Sequence, residues 1–299
     1  MTMLASLVIP VYQAGRYLPR TAPTWLDQEL DGDFEVMLID NGSTDGAVAA
    51  LPEHPRLRRL HESDPGAYAA RNTGCREASG EFLVFTDPDC IAPGGWLRRL
   101  LAPLRSDASL AAAQGPANLA GSDRGLRLLN FYEFHREAMV YRQADPRLYY
   151  AHTNNLAVRR SAFERCGPFD PRARGADTLL ARRLADRLGC SALVHAPDAT
   201  VEHLEVERSG VWLRKLYLYG RHRHAACDDV RSLSLAERLS VWRAATRAEG
   251  LSPVASAEML AMLALGCGYW WAGCAAGVLD RRTNLLHGRT MASSKAPRT

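Results

Sequence analysis

No two of the seven cysteines in this 299-residue sequence form a C-x-x-C pair; they are scattered at positions 75, 90, 166, 190, 227, 267 and 274. That spacing excludes a cysteine zinc cage and a redox dithiol, and it fits buried, reduced thiols in a cytosolic protein. No G-x-G-x-x-G follows the first apolar run, which argues against a nicotinamide-binding dehydrogenase. A glycine-rich loop with a phosphate-binding lysine near the start is missing too, which disfavours a nucleotidyltransferase. Met1-Thr2-Met3-Leu4 runs straight into a strand pattern, with no charged region and apolar stretch ahead of it, so no secretory signal is expected. Excess charge is also small. A net charge of +4 and a pI near 8.7 suit an anionic substrate or a membrane surface but fall short of a nucleic-acid footprint.

What is present is ordinary soluble-protein composition, 47% hydrophobic and 23% charged, enough for one large domain or one domain with an appendage. The first half alternates short apolar runs with helical patterns. Strands are expected at 7–11, 34–39 and 81–85, with helices at 16–28 and 67–78. Such alternation predicts a largely parallel sheet with helices on both faces, whose ligands sit outside the carboxyl ends of the strands. Tyr12, Asp40 and Asp87 stand at those ends. Farther on, helices are expected at 125–141, 177–188 and 235–247, and a strand at 153–158.

Asp87-Pro88-Asp89 closes the third apolar strand. In an extended chain, residues two apart point to one side, so both carboxylates would face one ligand. A hard divalent cation takes oxygen ligands and commonly bridges carboxylates to phosphate oxygens. Two solvated loop acids are the competing interpretation, and the position at a strand end speaks against it.

Several segments together resemble a family 2 glycosyltransferase of the GT-A fold. They are Leu7-Val8-Ile9-Pro10-Val11-Tyr12, the run from Leu38 through Asp40-Asn41-Gly42-Ser43 to Gly46, and the run from Gly66 through Arg71 to Gly74. Gly80 to Asp89, Asn155 to Arg160 and Gly167-Pro168-Phe169-Asp170 continue the series. The resemblance covers roughly the first 205 residues and rests on order and spacing. It implies a mixed, mainly parallel α/β (Rossmann-like) sheet flanked by helices, with residues 1–210 as the nucleotide-sugar-binding and catalytic domain. It further implies an inverting transferase using a nucleotide-sugar donor, with a UDP-sugar as the first expectation, and Mn2+ or Mg2+ as cofactor.

Carried over by position, Pro10, Tyr12, Asp40, Arg71, Asp87 and Asn155 would bind the nucleotide sugar. Asp89 would ligate the metal, with His203 and Asp87 completing its shell. Asp177 stands where the catalytic base would be, although Ala176 replaces the glutamate usual beside it. An acid in the first turn of a helix, favoured by the macrodipole, is the alternative for Asp177. A catalytically inactive binding module of the same fold also stays open. The acceptor would be a hydroxyl on a glycan, a lipid-linked carrier or a small molecule, and no nucleic acid is expected as a partner.

Residues 211–299 form a helical C-terminal region. The basic, aromatic run from Arg214 to His224 would neutralise the donor diphosphate or a phospholipid-like acceptor, or form a solvated helix face, and His222 and His224 lack helical metal-ligand spacing. Met259 to Leu279 carries no charge and is about long enough to cross a bilayer. Arginines on both flanks give no orientation bias, so a monotopic or re-entrant helix, or one packed on the protein, explains the segment better than a crossing. The expected location is the cytoplasm, with the inner face of the membrane as a partner surface. The polar stretch from Arg281 to Thr299 is expected to lack order.

Overall fold

The computed structural model describes residues 3–171, 175–222 and 231–293. A seven-stranded sheet is ordered β3 (Leu57–His61), β2 (Asp33–Asp40), β1 (Met3–Val11), β4 (Phe82–Thr86), β8 (Asn155–Arg159), β6 (Ala112–Gln114) and β9 (Leu193–His195). Strand β8 alone runs against its two neighbours; the other ladders of this sheet are parallel. The sheet is therefore mixed and mainly parallel, as expected of a GT-A fold.

Along β1, Leu7, Ile9 and Val11 face a core built with Trp25 and Trp96, while Val8 faces a second core with Met37, Ile39 and Phe85. A two-residue period with apolar groups on both sides is what a strand covered by helices on both faces requires. Helices α1 (Leu18–Leu26) and α3 (Trp96–Ser106) cover the first face. Helices α2 (Ala67–Glu77), α5 (Arg160–Cys166) and α6 (Ala176–Leu188) cover the second. Gly74 lets α2 lie close on the sheet: a Cβ there would stand 2.5 Å from Val8 Cγ1 and 2.9 Å from Ile39 Cδ1.

One buried acid ties the start of the sheet together. The Glu35 carboxylate on β2 accepts from Ser6 Oγ (2.7 Å), from Ser79 N (2.9 Å) and from Arg58 Nη1 (2.6 Å). Burial pushes its pKa up, but the Arg58, Ser6 and Ser79 hydrogen bonds outweigh that and hold it near 2. A depressed carboxyl contributes stability above its unfolded value that is lost as pH falls through the folded one. Glu35→Gln is therefore expected to cost about 3 kcal/mol near neutral pH and almost nothing near pH 2. Urea denaturation across that range checks both limits.

A second, three-stranded sheet joins β5 (Cys90–Ile91), β10 (Val201–His203) and β7 (Ala117–Leu119), with β10 in the middle. Helix α4 (Arg124–Val140) leads to the C-terminal helices α7 (Ser209–His222), α8 (Leu235–Ala248) and α9 (Pro253–Ser293). Helix α8 opens with a capping box, Ser234 and Glu237 each bonding the other's backbone N–H. Leu128 and Tyr132 of α4, Val241 and Ala245 of α8, and Ala255 and Met259 of α9 form a separate core.

Helices α7 and α9 pack almost backbone to backbone. A Cβ at Gly220 would lie 2.1 Å from Trp270 O, and one at Gly273 2.0 Å from Tyr217 O. At Gly277 it would lie 2.2 Å from Arg221 O, so the Gly273-x-x-x-Gly277 spacing serves contact within this chain. The expectation of disorder from Arg281 onward is corrected, because α9 continues to Ser293. Extending a helix already formed adds a hydrogen bond for each residue fixed, whereas starting one does not. Residues 294–299, and residues 223 and 224 of the basic run, lie outside those described.

Candidate active site

Val11, Asp40 and His61 are paired across β1, β2 and β3, and Thr86 pairs with Asn155 across β4 and β8. One carboxyl edge of the parallel strands thus presents Tyr12, Asp40 and Asp87, as the strand pattern predicts. Pro10 is buried within β1, whereas Tyr12, just past its end, is 65% exposed. Asp40 accepts from Ser43 N at 3.0 Å, and this turn is stitched to the loop after β1. Gln13 N donates to Ser43 Oγ (3.1 Å) and Gly15 N to Asp45 Oδ2 (2.8 Å). Gln13 holds φ +50°, the one positive φ outside glycine among the described residues, so this loop is held by its contacts.

The Asp87-Pro88-Asp89 triplet corrects an expectation. It is not extended: Cys90 N donates to Asp87 O at 3.0 Å, closing a turn for which Pro88 supplies the fixed φ. The two carboxylates accordingly go to different partners. Asp87 Oδ1 accepts from Arg71 Nη2 at 2.5 Å, and Arg71 is 4% exposed with its guanidinium over the Tyr68 ring. Arg71 Nε is buried with no hydrogen-bond partner.

Asp89 Oδ2 stands 3.1 Å from His203 Nε2, and both side chains are largely buried. The register that pairs His203 with Cys90 across β10 and β5 brings them together. Burial raises the Asp89 pKa, but the His203 hydrogen bond and charge outweigh it and leave the carboxyl below its ordinary value. For His203, burial pulls the imidazole down and the Asp89 hydrogen bond and charge carry it above its ordinary value.

Potential ligand atoms of Asp89, Cys90 and His203 all lie within 4.8 Å of one another, and Asp87 is outside that group. Burial pushes the Cys90 thiol well up, with the charges of Asp87 and Asp89 adding to it. Within that group Asp89 and His203 offer one carboxylate and one imidazole, donors that suit a hard divalent cation with further oxygen ligands from phosphate and water.

Asp177 lies in the first turn of α6, after Gly175 in a left-handed conformation (φ 80°). Its carboxylate accepts from Thr178 N (2.8 Å) and Thr153 N (3.4 Å). Burial pushes the neighbouring Tyr68 phenol up, and the charge of Asp177 adds to this. Tyr68 thereby links the Asp87–Arg71 pair to Asp177. The segment leading to α6 is pinned by Asn72, which donates to Phe169 O (2.8 Å) and accepts from Phe169 N (3.0 Å). Ala176 is fully buried in the second core, so this position offers no acid to the site.

Asn155 departs from its expected role. It is completely buried; its amide donates to Pro116 O and Ala199 O, both at 2.7 Å, and accepts from Trp96 Nε1 at 2.9 Å. It braces the edge of the sheet instead of facing a ligand. Sequence reasoning had missed Glu205, whose Oε2 is 3.9 Å from His203 Nε2 and pairs with Lys215 of α7. The two-residue step from His203 to Glu205 was the available signal.

A family model described as glycosyl transferase family 2 matches residues 6–167, more than half of the chain. Glycosyltransferase AglE of Haloferax volcanii is 29% identical over 170 residues, 55% of this chain and 55% of its own. Chondroitin synthase of Escherichia coli is 33% identical over 112 residues, 36% of this chain and 16% of its own. The chain spans about half or less of the length of these curated relatives. Among solved structures, the mannosyltransferase PcManGT of Pyrobaculum calidifontis, in complex with GDP-Man and Mn2+, superposes with TM-score 0.62 at 20% identity. That match covers 94% of this chain and 88% of the other. GalNAc-T7 with UDP, GalNAc and Mn2+ gives TM-score 0.54 at 15% identity, over 82% of this chain and 55% of its own. At such identities the likeness is one of fold.

Proposed function

The chain belongs to glycosyltransferase family 2, and from that premise we propose that it moves a sugar from a nucleoside-diphosphate sugar to an acceptor hydroxyl, inverting the anomeric carbon. The observation that carries this proposal is the buried Asp89–His203 pair at the carboxyl edge of the sheet, beside the Arg71–Asp87 pair and Asp177. Asp40, Tyr12 and Arg71 receive the nucleotide, with Pro10 behind them in β1. Arg71 Nε is a donor without a partner at that edge, and Asp87 fixes the guanidinium that carries it.

Asp89 and His203 would hold Mn2+ or Mg2+. When bound, the ion supplies positive charge against the diphosphate as it leaves. Lys215, held by Glu205 beside His203, adds a second positive charge on the same side. Asp177 accepts the proton of the acceptor hydroxyl as that oxygen attacks the anomeric carbon. The backbone N–H groups of Thr178 and Thr153 hold its carboxylate in a fixed orientation for this step. The acceptor's carrier, whether glycan, lipid or small molecule, is set by residues outside this group.

A donor screen tests the proposal. With Mn2+ present, a UDP-sugar is expected to release UDP slowly by hydrolysis even without acceptor, and GDP- and dTDP-sugars run alongside fix the nucleotide. A protein that releases no nucleoside diphosphate from any donor, and shows no metal-dependent nucleotide binding by calorimetry, is not the enzyme described here.

A further inference from the structure

Helix α9 has two unlike sides. Ala255, Met259, Gly266, Gly273, Cys274 and Gly277 are buried, the last four from Gly266 onward lying along the side turned to α7. Leu260, Ala264, Cys267, Trp271, Ala275 and Val278 recur three or four residues apart on the opposite side and are all exposed. Trp271 is 64% exposed and Leu265, adjoining the stripe, 48%. No charged residue interrupts the helix from Met259 to Leu279, although most of that surface faces outward. A solvated helix in a protein that is 23% charged would carry acids and bases there.

Length and composition alone would let Pro253–Leu279 cross a bilayer. Its packing argues otherwise. The glycine contacts fix α9 to α7 along its length, and α7 carries the exposed Arg214 and the Glu205-paired Lys215. A crossing would take those charges into hydrocarbon along with α9. A helix lying in the interface instead buries one apolar side and keeps basic groups at the level of the head groups. Exposed Trp271 suits that depth, since amphipathic rings collect at membrane interfaces.

We propose that the exposed face of α9 docks flat into one leaflet of an anionic bilayer. Helix α7 then separates the candidate metal pair from the lipid surface by about one helix diameter, roughly 10 Å. The docking stands apart from the catalytic proposal, because its test reads no chemistry.

Vesicles of phosphatidylcholine with and without phosphatidylglycerol, floated with the full chain, provide the test. The protein is expected to float with the anionic vesicles and more weakly with the neutral ones. Trp271→Glu and Leu265→Glu, both at exposed positions, are expected to weaken flotation about tenfold or more while leaving the circular dichroism spectrum unchanged. A nitroxide on Cys267, the exposed cysteine among those described, in a Cys227→Ser background, is expected to report a shallow depth. Absence of flotation, or equal flotation of both Glu variants, overturns the docking. A nitroxide at the bilayer midplane overturns it in favour of a crossing. A lipid-free dimer that Trp271→Glu converts to monomer overturns it in favour of self-association. Nucleoside diphosphate release, measured on the same samples without vesicles, reports separately on the enzyme.

Discussion

Asp177→Asn is expected to lower sugar transfer about a thousandfold while donor affinity stays within about threefold, the signature of a lost general base. Asparagine keeps one oxygen to accept from Thr178 N, as Asp177 Oδ1 does, and gives up only the long 3.4 Å bond from Thr153 N to Oδ2, so the variant is expected to fold. What it loses is the ability to take up a proton from the acceptor hydroxyl. The split between kcat and donor binding therefore separates a catalytic Asp177 from an acid that serves only the helix dipole. A merely dipolar acid would contribute about 0.3–1 kcal/mol of stability and nothing to turnover. Single-turnover transfer together with calorimetric donor titration makes the distinction, and transfer that survives the substitution removes Asp177 from the mechanism. The missing acidic neighbour raises the stakes, because Ala176 is sealed in the core and leaves Asp177 without an adjacent carboxylate to take its place.

Asp89→Asn is expected to abolish the response to Mn2+ and to lower kcat/KM about a thousandfold. The pair it breaks is buried, and removing one partner leaves His203 without the carboxylate that raises its pKa. The proton on His203 also competes with the metal, since an imidazole must be neutral to ligate. With the histidine raised in the folded protein, the apparent Mn2+ affinity should weaken as pH falls through that raised value and strengthen above it. In the metal-free protein the sign reverses. The raised histidine contributes stability that is fully present below its unfolded pKa, about 6.5, and is lost as pH rises through the folded one. Added Mn2+ should accordingly raise the melting temperature more at pH 8 than at pH 6. Equal shifts at both would mean that His203 is not a ligand.

Much of this site was legible in the sequence because its parts are local. A strand ending in Asp40, a strand ending in Asp87, and an acid in the first turn of a helix each need only a short window, and the structure puts them at one sheet edge or helix terminus. Boundaries of most elements fall within about two residues of expectation for the same reason, apolar periodicity marking them directly, whereas β1 begins four residues earlier and α9 reaches from Pro253 to Ser293. What was not legible depends on tertiary context. The turn at Asp87-Pro88-Asp89 sends two neighbouring carboxylates to Arg71 and His203, which the two-residue strand period cannot foretell. Asn155 looks polar and available in sequence, yet Trp96, Pro116 and Ala199 take up its side chain. Strands β5, β6, β7 and β9 have only two or three residues each, too few to show any period. The one-sided burial of α9 was hidden as well, because an uncharged run looks the same whichever side is covered.

The small sheet of β5, β10 and β7 makes the candidate metal pair a matter of alignment between distant parts of the chain. Asp89 precedes β5 directly and His203 closes β10, so one hydrogen-bonded register sets the gap between them. Side chains alternate sides along a strand, and a slip of a single residue would turn the imidazole away from the carboxylate. The pair therefore comes into being only after the last strand has docked in its correct register. Cation binding would then act as a proofreading step for assembly, rewarding chains that have closed the sheet correctly and passing over those that have not.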